Sequence, residues 1–163
     1  AGTVDYFANG KLQILFCASD KLYLIDRLGR YVTGFPLALG KEVLLGPDIY
    51  DFNGTRKYNI MVLHKDNTIE MYNLKGQKPA SWKGITSGET IKNLPERLIV
   101  GGNTFWVVRT SIQTLVYPFY GGEPLTSFTG NQMIRPDSQV KALDETTIDF
   151  TCYDGKVRTL KIK

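Results

Sequence analysis

The sequence predicts an all-β fold, a β-propeller or a partial propeller of about four repeats, each a four-stranded antiparallel blade. Three observations carry this. A sequence unit recurs every 42 to 47 residues, a period typical of propeller blades. Within each unit, short apolar runs are separated by turns at hairpin spacing. The runs are apolar on both faces, so each must be covered on both sides, as stacked blades are. An irregular β-sandwich is the alternative architecture.

The repeat is visible when residues 9–35 are laid on residues 55–82. Ile14 falls on Ile60 and Asp20 on Asp66 at an offset of 46. After one inserted residue, Leu24 falls on Met71, Gly29 on Gly76 and Phe35 on Trp82 at 47. A third copy, "TLVYPFYGGEPLTSF" (114–128), places Gly122 on Gly76 and Phe128 on Trp82 at 46. A fourth, "TIDFTCYDGKVRTLKIK" (147–163), sets Ile148, Phe150 and Asp154 on Ile60, Val62 and Asp66 at 88. The expected repeats are 4–47, 48–93, 94–138 and an incomplete 139–163, forming one domain. "NIMVLHKDNTIEMYNL" shows the unit most clearly, two strands around Lys65-Asp66-Asn67. Side chains alternate along a strand, so Leu22 and Leu24 face one way while Tyr23 and Ile25 face the other. The aromatic that closes a unit (Phe35, Trp82, Phe128) is expected to wedge between blades.

An incomplete fourth unit leaves sheet edges open, and unpaired edges are normally avoided. The first residue is Ala, not Met. The expectation is a piece of a longer chain, or a homodimer formed through open blade edges with faces such as Leu22 and Leu24 covered by the second copy.

Bulk composition narrows the function classes. The 163 residues are 42% hydrophobic and 22% charged, with 16 Gly and 7 Pro, ordinary for a globular chain rich in turns. The net charge is +4 and the pI about 9.0. The nearest thing to a basic cluster is Lys156, Arg158, Lys161 and Lys163, whose alternation suggests the outer face of a strand. A basic pI without a basic stripe argues against a nucleic-acid partner. No apolar stretch is long enough for a membrane span, so no membrane insertion is expected. Cys17 and Cys152 lack any metal-ligand spacing and sit in apolar runs, where buried free thiols are expected.

"DFNGTRKYNI" (51–60) has the outline of a calcium loop. It resembles the calcium-loop segment of FG-GAP and VCBS-type propeller repeats, roughly D-x-N-G-D-G-x-x-D before an apolar strand. Asp51, Asn53 and Gly54 hold the first, third and fourth positions. Thr55 stands in place of the second Asp, Arg56 of the second Gly and Asn59 of the last Asp. "DYFANGKLQI" keeps Asp5 but has Phe7 and Gln13 at the third and ninth positions. Calcium needs six to eight oxygens, several from carboxylates, and Arg56 and Lys57 add positive charge that opposes a cation, so no metal is expected and the stretch reads as an Asx-Gly turn. "LYLIDRLGRYVTGFP" and "IEMYNLKGQKPASW" also resemble PQQ-type propeller repeats. Residues 4–85, through "VDYFANGKLQILF", "KLYLIDRLGRYVTGFP" and "DNTIEMYNLKGQKPASW", resemble the C-terminal propeller-like region of a family of large, uncharacterised bacterial envelope proteins. That resemblance implies an extracytoplasmic location and no known activity.

Catalytic constellations are hard to assemble. His64 is the only histidine, and without a nucleophile partner it makes no triad. Asp144 and Glu145 read as turn residues, with Asp149 beyond them. The Gly pairs 101–102 and 121–122 lack the lysine and strand–helix setting of a phosphate loop. No catalytic, cofactor-binding or metal-binding residue is therefore assigned, and no cofactor is expected. The expected function is a non-catalytic binding or scaffold module of a larger extracytoplasmic bacterial protein, with a protein or carbohydrate partner. The alternative is part of a propeller-fold hydrolase or lyase whose catalytic residues lie mostly outside this chain.

Overall fold

The computed structural model describes residues 1–162; Lys163, the last residue of the basic tail, lies outside them. The chain is all-β, four successive antiparallel sheets of three or four strands. It divides into two compact units, Ala1–Gly84 and Ile85–Lys163, each holding two sheets.

In the first unit, β1 (Gly2–Val4), β2 (Gln13–Ala18), β3 (Lys21–Ile25) and β4 (Leu37–Ala38) form one sheet in chain order. β5 (Val43–Tyr50), β6 (Asn59–His64) and β7 (Ile69–Asn73) form the next. The first sheet turns Val4, Leu15, Leu22 and Leu24 onto Ile60, Val62 and Tyr72 of the second, and Phe35 joins this core. Gly2 lies where the sheets meet: a Cβ there would come within 2.5 Å of the Ile49 side chain. Leu22 and Leu24 are fully buried, so they are not the open face expected of an isolated piece; they face the second sheet. The open face is the other one, carrying Ile14, Phe16, Tyr23 and Ile25, with Ile14 43% exposed. In β6, by contrast, Ile60 to His64 are all buried.

In the second unit, β8 (Glu96–Val100), β9 (Asn103–Arg109), β10 (Gln113–Pro118) and β11 (Thr126–Thr129) make a four-stranded sheet. A 3-10 turn at Gly130–Gln132 leads to β12 (Lys141–Ala142), β13 (Thr147–Thr151) and β14 (Val157–Lys161). Leu98, Val100, Phe105, Val107 and Val116 pack on Ile148, Phe150 and Cys152, and Phe128 lies 4.9 Å from Phe150. Cys17 is half-buried, Cys152 is buried, and both are free thiols.

Hydrogen bonds test the repeat register atom by atom. The Asp26 turn and the Asn73 turn are the same turn 47 residues apart. Gly29 N donates to Asp26 O as Gly76 N does to Asn73 O, and the glycines share φ of 78° and 75°. Both first side chains accept from the second and fourth residues after them. The inserted residue lies in the hairpin: β2 and β3 are joined by Ser19-Asp20, whereas His64 N donates to Thr68 O across three residues. The 88-residue offset also holds, since Cys152 N donates to Lys156 O and Gly155 N to Cys152 O as their counterparts do.

The third copy is shifted by one from the expected alignment. Arg109 pairs with Thr114 as Leu63 pairs with Ile69, so β10 stands 45 residues from β7, not 46. The cause is the turn, two residues (Ser111-Ile112) in place of three. A one-residue slip reverses every side chain's face. Gly121, not Gly122, therefore matches Gly76. Phe128 lies in β11, while Trp82 lies outside any strand, so these aromatics are not equivalent.

Candidate functional site

The chain direction fixes which loops meet. In the first unit, β1, β3, β5 and β7 all run toward one rim, so segments 5–12, 26–36, 51–58 and 74–77 gather there. They carry Lys11, Arg27, Arg30, Arg56, Lys57 and Lys75 against Asp5, Asp26 and Asp51, a formal +3 of the chain's +4.

The three carboxylates are engaged by backbone. Asp5 accepts from the N–H of Asn9 and Gly10, both at 3.0 Å. Asp26 accepts from Leu28 and Arg30, and Asp51 from Arg56 at 3.2 Å. The two calcium-like loops are one structure at offset 46. Ala8 and Gly54 both have positive φ, 54° and 66°, as do Gly10 and Arg56, 81° and 62°. Arg56 links them: its backbone N–H donates to Asp51, and its Nε lies 2.9 Å from Asp5 Oδ2. Burial would raise the Asp5 carboxyl, but the Gly10 and Asn9 N–H groups and the Arg56 guanidinium overcome this and hold it below its ordinary value. Asp26 is likewise held low, mainly by the Arg30 N–H. Among the described residues no three His, Cys, Asp or Glu side chains group to hold a metal.

Between these loops lies a cleft of about 450 Å³. Tyr6, Arg56, Lys57, Tyr58, Asn59 and Lys75 line it together with Asn73 and Leu74. Tyr58 is fixed by its hydroxyl, which accepts the Asp5 N–H at 3.0 Å. The Tyr6 ring is held edge-on by Phe7 and Phe35. Lys57 and Lys75 are exposed, and neither forms an ion pair among the described residues.

His64 sits elsewhere and is fully buried. Its Nδ1 lies 3.1 Å from the carbonyls of Lys41 and Glu42. Carbonyls only accept, so Nδ1 carries the proton, and the Tyr72 hydroxyl donates to Nε2 at 2.8 Å. Burial lowers the imidazole's proton affinity and pushes the Tyr72 phenol up. Both ring nitrogens are occupied inside the core, which leaves no free base. Asp144 is a turn residue, accepting the Thr146 N–H at 2.9 Å, and Asp149 stands in β13.

Sequence reasoning treated Arg56 and Lys57 only as groups that spoil a calcium loop. It missed the cleft because Lys75 and Tyr6 join those residues only through sheet register. The shared signal was the loop repeat itself, which sets 5–13 beside 51–59.

No family model matches the chain, and no curated protein matches it. Among solved structures it is similar to BBS1N, crystallised in complex with ARL6DN, with 10% identity and a TM-score of 0.43 over 99% of this chain and 64% of that one. It is also similar to Hsv2 of Kluyvelomyces marxianus, with 11% identity and a TM-score of 0.37 over 96% of this chain and 58% of that one. The chain thus spans less than two thirds of the length of either protein.

Proposed function

We propose that this chain is a non-catalytic binding module whose recognition surface is the loop rim of the first unit. The observation that carries the reading is the cleft, a preformed concavity lined by aromatic, amide and cationic side chains. Binding sites are typically largely preformed, with a few placed polar groups. The chemistry available there suits recognition, since the nearby carboxylates are tied to backbone N–H groups.

The ligand is a protein segment or a carbohydrate. An extracytoplasmic bacterial setting accords with the resemblance of residues 4–85 to envelope proteins. Self-association is a second element of the proposal, moved from the sheet edges to the face of Ile14, Phe16, Tyr23 and Ile25, which would bury apolar surface at roughly 25 cal/mol per Å².

Glycan and peptide arrays probed with the full chain test the binding reading. The expected result is a selective set of ligands, each lost when the cleft tyrosines Tyr6 and Tyr58 are replaced together by alanine in a folded variant. Turnover of an arrayed glycan or peptide, or binding that ignores those substitutions, would overturn it. Sedimentation tests self-association. A monomer at about 50 μM, a concentration that should reveal micromolar affinity, would remove that element.

A further inference from the structure

Resting on the binding reading, we propose that the cleft recognises an anionic sugar-sized ligand, a ring bearing one carboxylate or phosphate group. Three features converge on this chemistry.

The first is charge. Lys57 and Lys75 approach the cleft from different strands, β6's leading loop and β7's trailing turn, and neither is neutralised by a carboxylate among the described residues. Arg56 adds a guanidinium anchored through Nε to the buried Asp5. That pair cancels in charge, which leaves the two lysines as the net +2 of the site. Like charges held near one another repel, and an anion between them relieves that repulsion.

The second is shape. A volume of about 450 Å³ suits one sugar ring with its substituents, within the range of small-molecule sites. Tyr6 and Tyr58 line the cleft, where aromatic rings suit the C–H face of a pyranose, and both are held before a ligand arrives. The third is hydroxyl recognition. The Asn59 carboxamide makes no hydrogen bond with the described residues, so its donor and acceptor remain available to a diol.

The site thereby inverts what its loop resembles. A calcium loop gathers carboxylates around a cation; here the second glycine position is Arg56, followed by Lys57, and the carboxylates are bound to backbone.

Isotope-edited NMR titration of the full chain tests the proposal with glucuronate, glucose 6-phosphate and glucose. Shifts are expected at the Asn59 side-chain amide and around Lys57 and Lys75, with glucose binding at least about tenfold more weakly than one of the two anions. That factor corresponds to about 1.4 kcal/mol. The two anions separate carboxylate from phosphate as the preferred group. Lys57→Glu and Lys75→Glu should each weaken that anion about tenfold or more, added salt should weaken it further, and Lys21→Glu, at the end of β3 away from the rim, should change little. Amide spectra of the apo variants show whether they are folded. If a variant unfolds, the wild-type anion-to-glucose ratio and the salt series decide alone. Equal affinity for glucose and both anions, or no cleft shift up to about 20 mM of any probe, would overturn the anionic inference. Binding of neutral glycans that is insensitive to Lys57 and Lys75 would also overturn it while leaving the binding module standing. So would binding only to anionic vesicles or oligonucleotides.

Discussion

Ile14 and Ile60 occupy the same place in two copies of one sheet, 46 residues apart. Each sits on a middle strand between two antiparallel neighbours. Ile60 is fully buried and Ile14 is 43% exposed. The difference lies in the stack and not in the strand. The first sheet covers the Ile60 face with Leu15, Leu22 and Leu24, and no other sheet of the first unit covers the Ile14 face in the same way. Phe16 and Tyr23 answer this locally by stacking on each other at 5.0 Å. The last sheet ends differently: its face of Asp149, Thr151, Thr159 and Lys161 is largely polar. The repeat pattern therefore specifies strands that can be covered twice, and position in the series decides whether they are.

The largest expected effect sharpens this contrast. Ile60→Ala should cost about 2–5 kcal/mol, the range for truncating a buried aliphatic side chain. Ile14→Ala at the matching position should cost under about 1 kcal/mol, as exposed positions do. Urea unfolding of both variants measures the gap. Equal losses would mean that the Ile14 face is covered in solution, and sedimentation of the same samples would show whether a second copy covers it.

His64 is the next test, because its counterpart one repeat earlier is Ala18, paired with Lys21 at the hairpin. His64→Ala would strand the Tyr72 hydroxyl in the core and take the imidazole from the Lys41 carbonyl, while the Glu42 carbonyl keeps the Lys65 N–H. Each buried polar group left unsatisfied costs about 1–3 kcal/mol. The pH dependence follows from the lowered proton affinity of the folded histidine. Below an unfolded value of about 6.5, the unfolded chain binds a proton that the native chain refuses. Stability therefore falls as pH drops through about 6.5 toward the folded value. His64→Phe should flatten that segment of the stability profile. An unchanged slope between about pH 6.5 and 5 would show that another group titrates there.

Arg109 stands where β6 has Leu63. Its Nη1 donates to the carbonyls of Ile134 and Arg135, its Nη2 to that of Ser138, and its Nε to Glu96 at 2.7 Å. The guanidinium thus fastens the segment leading to β12 onto the preceding sheet. Arg109→Leu installs the sister strand's residue and takes the guanidinium from the Ile134 and Ser138 carbonyls, while the Arg135 carbonyl keeps the Ser138 N–H. A loss of about 1–3 kcal/mol is expected, with amide exchange rising first at 134–138. Unchanged exchange there would show that the clip is dispensable.

Much of this architecture was legible in the sequence because local hydrogen bonding repeats with it. Asp26 and Asn73 take the same role because both side chains cap the same turn, so Gly29 and Gly76 align by need of positive φ. The third copy misaligned because Ser111-Ile112 is a tighter turn, and turn length is set by a residue or two that apolar periodicity does not record. Trp82 and Phe128 matched as letters, yet only Phe128 lies in a strand. The cleft was not legible. Its residues come from three segments, and two of them, Arg56 and Lys57, had a ready reading as damage to a calcium loop. The face that lies open was misjudged as well, since alternation shows that two faces exist but not which one a neighbour takes.

The smallest effect separates the two calcium-like loops. Gly10 and Arg56 hold equivalent positions at φ of 81° and 62°, and only the first is a residue that adopts such angles without cost. Arg56→Gly should relieve roughly 1 kcal/mol of left-handed backbone strain, partly offset by the greater freedom of glycine in the unfolded chain. It also removes the guanidinium from Asp5. At pH 7 the net change should be small, within about 1 kcal/mol. The pH series distinguishes the opposing contributions. A carboxyl held low in the folded state adds stability above its unfolded value of about 3.9, and loses it as pH falls through the folded value. The variant has less of that contribution to lose, because Arg56 is one cause of the lowering. Melting temperatures of wild type and variant should therefore shift relative to each other in favour of the variant as pH falls from about 5 toward 2. A difference that stays constant with pH would show that the Arg56–Asp5 pair does nothing for the fold. Calcium should not change the variant's melting temperature either: restoring glycine leaves Asp51 as that loop's only carboxylate, and one carboxylate falls short of the oxygen set that calcium needs.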